Sequence, residues 1–260
     1  MKPRSNSAPR RLHIVVPGAI DQATGGYRYA ARIVAGLRKS GADVRVHELR
    51  GHFPDADAVA RAAAAAAIGA AAPGETMVID GLALPAFADT IDDAAGKLRC
   101  VALIHHPLAL ETGIGPAARA HFAALEPNLL AWIGRAIVTS GTTAAQVAAM
   151  GLAKDAIAVV EPGFDRARPM RSRRRGRPRL LCVATITPRK GHLNAIAALR
   201  GLRALPWRYL AVGSVTRHAP HARRVRATVV AARLAGRLRF IDRKSTRLNS
   251  SHVALSRMPS

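Results

Sequence analysis

The chain has 260 residues, 49% of them hydrophobic and 4% aromatic, with a formal net charge of +24. That length holds one large domain or two small ones, and the apolar content is ample for a core. The charge is unevenly divided, with 16 basic against 15 acidic residues in 1–165 and 24 against 1 in 166–260, so the second part suits an anionic partner such as nucleic acid, an acidic membrane or a phosphorylated ligand.

In chain order, Leu12–Pro17 reads as a buried strand followed by a Gly-rich turn. A helix from about Tyr27 to Ser40 follows, with Ala30, Ile33, Val34 and Leu37 at i, i+3, i+4 and i+7 and Gly41 as its stop. Asp43–Leu49 is a second strand. Asp55–Ala72 is an alanine-rich helix, capped by Asp55 or Asp57 and stopped by Pro73-Gly74. Thr76–Asp80 is a third strand, then a helix runs from about Pro85 to Ala95. Arg99–His105 is a fourth strand. Pro116–Gly134 is helical, with an interruption expected at Pro127. Ala136–Thr139 is a fifth strand, Thr142–Met150 a helix, and Ile157–Glu161 a sixth strand. Strands alternating with helices, with no hairpin signals, predict α/β architecture with a parallel doubly wound sheet and right-handed crossovers.

Residues 12–165 thus read as one complete Rossmann-like domain, preceded by a disordered N-terminus, 1–11. Residues 166–178 are an Arg/Pro-rich linker centred on Arg173-Arg174-Arg175. A second, incomplete Rossmann-like unit spans 179–242: strand Arg179–Ile186, helix Gly191–Leu205, strand Arg208–Val212, a helix from about His221 to Ala235 and strand Arg237–Asp242. Three strands leave an unpaired edge, expected at Arg208–Val212 or Arg237–Asp242. Residues 243–260 abandon the Ala/Arg texture. Arg243–His252 resembles a translated sequencing adapter found on unrelated chains, so the expectation is a foreign, disordered tail after a C-terminal truncation.

Cys100 and Cys182 each sit in an apolar run and read as buried free thiols of a reducing compartment. No residue spacing resembles a metal-ligand set. Met1–Arg11 lacks an apolar signal region, and no apolar stretch reaches the ~18 residues of a membrane span. The expectation is a soluble cytoplasmic chain, with peripheral contact at the inner membrane face left open.

Four loop fragments, each after a strand run, carry the chemistry: Thr24–Tyr27 with Gly25-Gly26, His105-His106-Pro107, Pro162–Asp165, and Pro188–Gly191 with Arg189 and Lys190. Ligands of open α/β sheets bind at the C-terminal ends of the strands. A Gly-Gly turn before a helix brings amides and a positive helix end toward an anion, although Gly18 and Gly25-Gly26 do not make a dinucleotide fingerprint. A strand-end His can bond a sugar hydroxyl or shuttle a proton near neutral pH. Lys190, at a helix start, can neutralise a diphosphate. Each of these alone is as well explained by a tight turn, a core imidazole or a solvated Lys.

Together they resemble the retaining glycosyltransferases of the GT-B fold, in particular family 4 (glycosyl transferases group 1), over residues 12–242. Gly25-Gly26 matches that family's loop after the first strand, and His105 or His106 its strand-end His. Val160–Asp165 matches its Val-x-Pro-x-Gly-x-Asp stretch, and Val183–Gly191 its Val-Gly-Arg/Thr-x4-Lys-Gly-like loop. The resemblance implies a nucleotide-sugar donor, an unknown acceptor (glycan, lipid or small molecule), retention, and no cofactor or metal. It puts the acceptor on the N-terminal domain and the donor on the C-terminal one. His105 or His106 would be catalytic, and Gly25, Gly26, Arg189 and Lys190 would bind the donor diphosphate.

The departures are Thr185, where the family often has Arg, and the family's Glu-x7-Glu element, since no Glu follows Glu161. The 260-residue chain is therefore expected to be inactive. Two other readings stand beside this one. The basic half could serve a nucleic-acid or anionic-surface binding protein, although no stacking platform accompanies its Arg. A sugar-nucleotide epimerase of the same fold is the other.

Overall fold

A computed structural model describes residues 11–22, 24–111, 113–165 and 176–242. The expected disordered N-terminus falls almost wholly outside these residues. So do the linker through 175, including Arg173–Arg175, and the 243–260 tail. The chain divides into two units, Met1–Arg166 and Ala167–Ser260.

The first unit is a six-stranded parallel sheet in the order β2-β1-β3-β4-β5-β6. Its strands are β1 (Leu12–Pro17), β2 (Val44–Leu49), β3 (Thr76–Asp80), β4 (Arg99–Ile104), β5 (Ala136–Val138) and β6 (Ile157–Val159). Side chains of β1 alternate between two faces, and both are buried. Ile14 and Val16 pack with Ala30 and Val34 of helix α1 (Gly25–Lys39), while Val15 packs with the helices of the other face. Those are α2 (Ala58–Gly69), α3 (Ile91–Lys97), α4 (Pro116–Ile133) and α5 (Gly141–Ala149). The chain leaves β1 toward β2 by α1. It then crosses back over β1 to β3 by α2 and continues outward to β6. The direction reverses at β1 and β3, so the switch point of the sheet lies between their C-terminal ends, where α/β folds bind ligands.

Local chemistry explains the element ends. Gly41 (φ +88°) closes α1: its N–H donates to Arg38 O and that of Ala42 to Leu37 O, the paired bonds of a Schellman turn. Asp57, not Asp55, caps α2 by accepting from Ala60 N at 2.8 Å. The helix expected over Pro85–Ala95 is instead a 3-10 turn, Leu84–Phe87, followed by α3. Leu84 and Phe87 are drawn into the core, and Phe87 O then takes Thr90 N at 2.9 Å, which closes a tight turn instead of an α-helical bond. Pro127 does not interrupt α4, although it removes one ladder donor.

The second unit is a three-stranded parallel sheet, β7 (Arg179–Val183), β8 (Arg208–Val212) and β9 (Leu238–Ile241), in the order β7-β8-β9. Of the two places expected for the edge, Arg208–Val212 is the central strand, whereas the strand within Arg237–Asp242, β9, lies at an edge of the described sheet. Helices α6 (His192–Gly201) and α7 (Ala219–Ala231) share a core with Trp207, Ala211, Leu234 and Leu238. Cys100 is buried as expected. Cys182 is only half-buried, with its Sγ 3.9 Å from His192 Nε2, and both thiols are free.

Candidate functional site

The switch point of the first sheet gathers four side chains or backbone positions. The chain leaves β1 through Gly18 (φ +78°) and returns to an extended Thr24, and α1 starts at once with Gly25. The glycine pair is thus the first turn of the helix, two residues before the predicted start. The Thr24 hydroxyl makes no capping bond, so it offers no competitor to an anion at this positive helix end.

The two glycines differ. A Cβ on Gly25 would meet nothing within 4 Å, whereas one on Gly26 would lie 3.4 Å from His105 Cδ2. The His105 ring therefore lies directly against the helix start at Gly26, at a distance where an added Cβ would make ordinary van der Waals contact. The Tyr29 ring meets His105 edge-on at 5.3 Å, and its hydroxyl donates to Val160 O at 3.1 Å. Below the ring, Asp80 at the end of β3 places Oδ2 3.6 Å from His105 Nε2, beyond hydrogen-bond length. Asp80 Oδ1 accepts from Leu82 N at 2.8 Å. The His105 carbonyl is held by the hydroxyls of Thr139 (3.4 Å) and Thr143 (3.5 Å). His105 Nε2 is buried and without a hydrogen-bond partner among the described residues. It is a polar atom aimed into the site with bonding capacity left over.

Burial raises Asp80 to about 6 and lowers His105, so both groups favour their neutral forms. A charged pair at their separation would pull the other way, but with Asp80 only 6% exposed the desolvation of each group is the larger effect. The sign for stability follows. A carboxyl whose folded pKa is raised holds its proton longer in the folded state, so stability falls as pH rises from 3.8 to about 6. The wild type minus Asp80→Asn difference in unfolding free energy should therefore drop across that window, by about 3 kcal/mol at most. Urea unfolding at several pH values measures it, and a flat difference would show that Asp80 is not desolvated.

His106 is not part of this group: its Nε2 contacts Leu110 O at 3.1 Å in its own loop. Of the two histidines only His105 meets Gly26. Sequence reading missed Asp80 and Glu126. Buried Glu126 in α4 accepts from Leu108 N (2.7 Å) and Ala109 N (2.9 Å) and so anchors the loop that follows His105-His106.

In the second unit, Arg189 and Lys190 lie in a 3-10 turn, Pro188–Lys190, which Gly191 (φ +66°) joins to α6. Lys190 thus precedes the helix and does not open it. Its side chain is exposed at the C-terminal end of β7. A groove of about 420 Å³ between α1 and β2 is lined by Ile20, Val34, Arg38, Val46 and Glu48. None of the strand-end residues above lines it, and Glu48 already holds Ile20 N, so the groove is not the site. Among the described residues no group of three His, Cys, Asp or Glu is placed to hold a metal ion, and no helix is long and apolar enough to cross a membrane.

No protein-family model matches the sequence, and no curated protein does. Solved structures do. Sucrose-phosphate synthase from Thermosynechococcus elongatus matches with a TM-score of 0.69 at 14% identity, over 90% of this chain and 71% of that one. Anabaena HepE in complex with UDP and glucose matches with 0.64 at 13%, over 91% and 70%. A glycosyltransferase from Rickettsia africae matches with 0.54 at 16%, over 92% and 69%. The fold is that of the GT-B glycosyltransferases. In GT-B terms, the Gly26–His105–Asp80 group belongs to the N-terminal Rossmann-like unit and Lys190 to the second.

Proposed function

We propose that this chain is a nucleotide-sugar-dependent glycosyltransferase of the retaining, family 4 type. The carrying observation is that Gly26, Tyr29, Asp80 and His105 meet at the switch point of a GT-B sheet. The HepE neighbour, which is described in complex with UDP-glucose, supports the donor class. In transfer, the bond from the sugar C1 to the diphosphate oxygen breaks, a bond from C1 to an acceptor oxygen forms, and the acceptor's hydroxyl proton passes to the departing diphosphate. Charge then collects on the departing diphosphate. Lys190 and Arg189 would stabilise it, and the Gly25 and Gly26 amides are a separate candidate for a phosphate contact. His105, through its free Nε2, would hold a sugar hydroxyl, and Asp80 would position the ring.

The Glu-x7-Glu element has no counterpart here, so this reading gives the 260-residue chain weak donor binding without complete turnover. Saturation-transfer NMR with UDP-, ADP- and GDP-sugars tests it. Enhancement of at least one donor is expected, reduced in both Lys190→Ala and His105→Ala. No enhancement with any of them would refute the donor reading. Slow conversion of the donor to its epimer would replace transferase by epimerase.

A further inference from the structure

In the second unit, the sheet has two unlike poles. Lys190 follows the C-terminal end of β7. The N-terminal pole carries Arg179 and Arg208 as the first residues of β7 and β8, directly paired in register. Neighbouring strands lie ~4.8 Å apart, so these two guanidinium groups start close together. Helices α6 and α7 run back toward this pole, where they add Arg200, Arg203 and Arg233, and Arg177 enters from the chain before β7. All six are exposed. Residues 176–241 contain no Asp or Glu, and the one acid of the described second unit, Asp242, follows the opposite end of β9.

Two leucines stand among these cations. Leu202 is 45% and Leu205 55% exposed. Their turn is pinned rather than loose: Trp207 Nε1 donates to Leu202 O and Arg237 Nη1 to Leu205 O, both at 2.7 Å, and the Arg237 guanidinium covers the Trp207 ring at 5.3 Å. The leucines are held outward on a rigid turn with Arg200, Arg203 and Arg208 beside them.

We propose that this pole docks on an anionic lipid surface. The arginines match anionic headgroups, and the two leucines enter the headgroup–acyl boundary. Nucleic acid fits less well. The aromatic residues of the described second unit are Trp207, which is buried, and Tyr209 and Phe240, which are half-buried, so no ring is offered for base stacking. Docking here turns the Lys190 end of the sheet away from the bilayer, which leaves its loop open to solvent. The proposal does not depend on the transferase reading, and vesicle binding and donor binding can fail separately.

The test is co-sedimentation of the full chain with phosphatidylcholine vesicles, with and without a minority of phosphatidylglycerol, at several salt concentrations. Salt-sensitive binding to the phosphatidylglycerol vesicles alone is expected. Arg200→Gln/Arg203→Gln/Arg208→Gln should lower partitioning on the order of a hundredfold, while the same positions changed to Lys should retain it. Arg50→Gln/Arg99→Gln/Arg135→Gln removes equal charge from exposed positions of the first unit and should leave binding unchanged. Leu202→Ser/Leu205→Ser should weaken binding without altering its salt dependence. Equal binding to both vesicle types, equal losses in the two Gln triples, or displacement of the vesicles by a DNA duplex or single-stranded RNA at matched charge would overturn the proposal.

Discussion

Gly213→Ala is expected to unfold residues 176–242 and to leave residues 11–165 folded. Gly213 follows β8, and its N–H donates to Ile241 O at 3.0 Å. A Cβ there would lie 1.9 Å from Ala184 O, 2.4 Å from Ala184 C and 2.9 Å from Thr185 N. All three are backbone atoms, and that backbone is tied to β8 by Ala184 N to Val212 O (2.9 Å) and Ile186 N to Ser214 O (3.0 Å). No side chain can rotate aside, so the clash is relieved only by breaking the β7–β8 ladder. Ordinary overpacking costs about 1–3 kcal/mol, and a contact this short on backbone lies above that range. A unit of this size has only about 3–10 kcal/mol to lose. Hydrogen exchange should show rapid exchange throughout 176–242 with protection kept in β1, β3 and β4. Limited proteolysis should leave a resistant fragment ending between Arg166 and Pro178. Gly201→Ala, where a Cβ meets nothing within 4 Å, is the control and should be neutral or slightly stabilising. Protection retained throughout 176–242 in the Gly213 variant would show that the close approach relaxes at little cost.

The strands were legible in the sequence because a buried parallel strand is a short apolar run, and Leu12–Pro17, Thr76–Asp80 and Arg208–Val212 all have that form. The Gly41 stop was legible because a left-handed residue after a helix selects glycine. What depends on neighbours distant in sequence was not legible. Asp80 reads as the polar end of a strand until the order β2-β1-β3 places it at the reversal point, one strand from His105. Arg208–Val212 cannot be told from an edge strand by its own residues, because β8 is central only through its pairing on both sides. His105 and His106 are equivalent in sequence. Their packing separates them, since the His105 ring lies against Gly26 while His106 Nε2 contacts Leu110 O in its own loop. The Pro85–Ala95 helix failed because the pull of Leu84 and Phe87 into the core exceeds a local helical preference that Asp89 and Thr90 already weaken.

Lys190→Ala is expected to lower kcat/KM by about 10²–10³ in a chain that turns over its nucleotide sugar, the loss typical of removing one preorganised stabiliser of developing negative charge. The turn Pro188–Lys190 sets the position of this residue. Lys190 N donates to Thr187 O at 3.1 Å, Gly191 N donates to Pro188 O at 3.1 Å, and Gly191 at φ +66° redirects the chain into α6. The described part of its unit holds one acid, Asp242, whose Oδ1 accepts from Val215 N at 3.3 Å. Because the Lys190 side chain is exposed, its loss should leave the unfolding midpoint unchanged. A stable, folded variant with impaired turnover separates a phosphate role from a structural one. Lys190→Arg should recover part of the loss by restoring the charge without the geometry of a single ammonium group. On the 260-residue chain the same substitution should reduce the saturation-transfer signal of the bound donor. An Ala variant with unchanged kcat/KM and unchanged donor signal would remove Lys190 from the site and leave Arg189 as the cation to test.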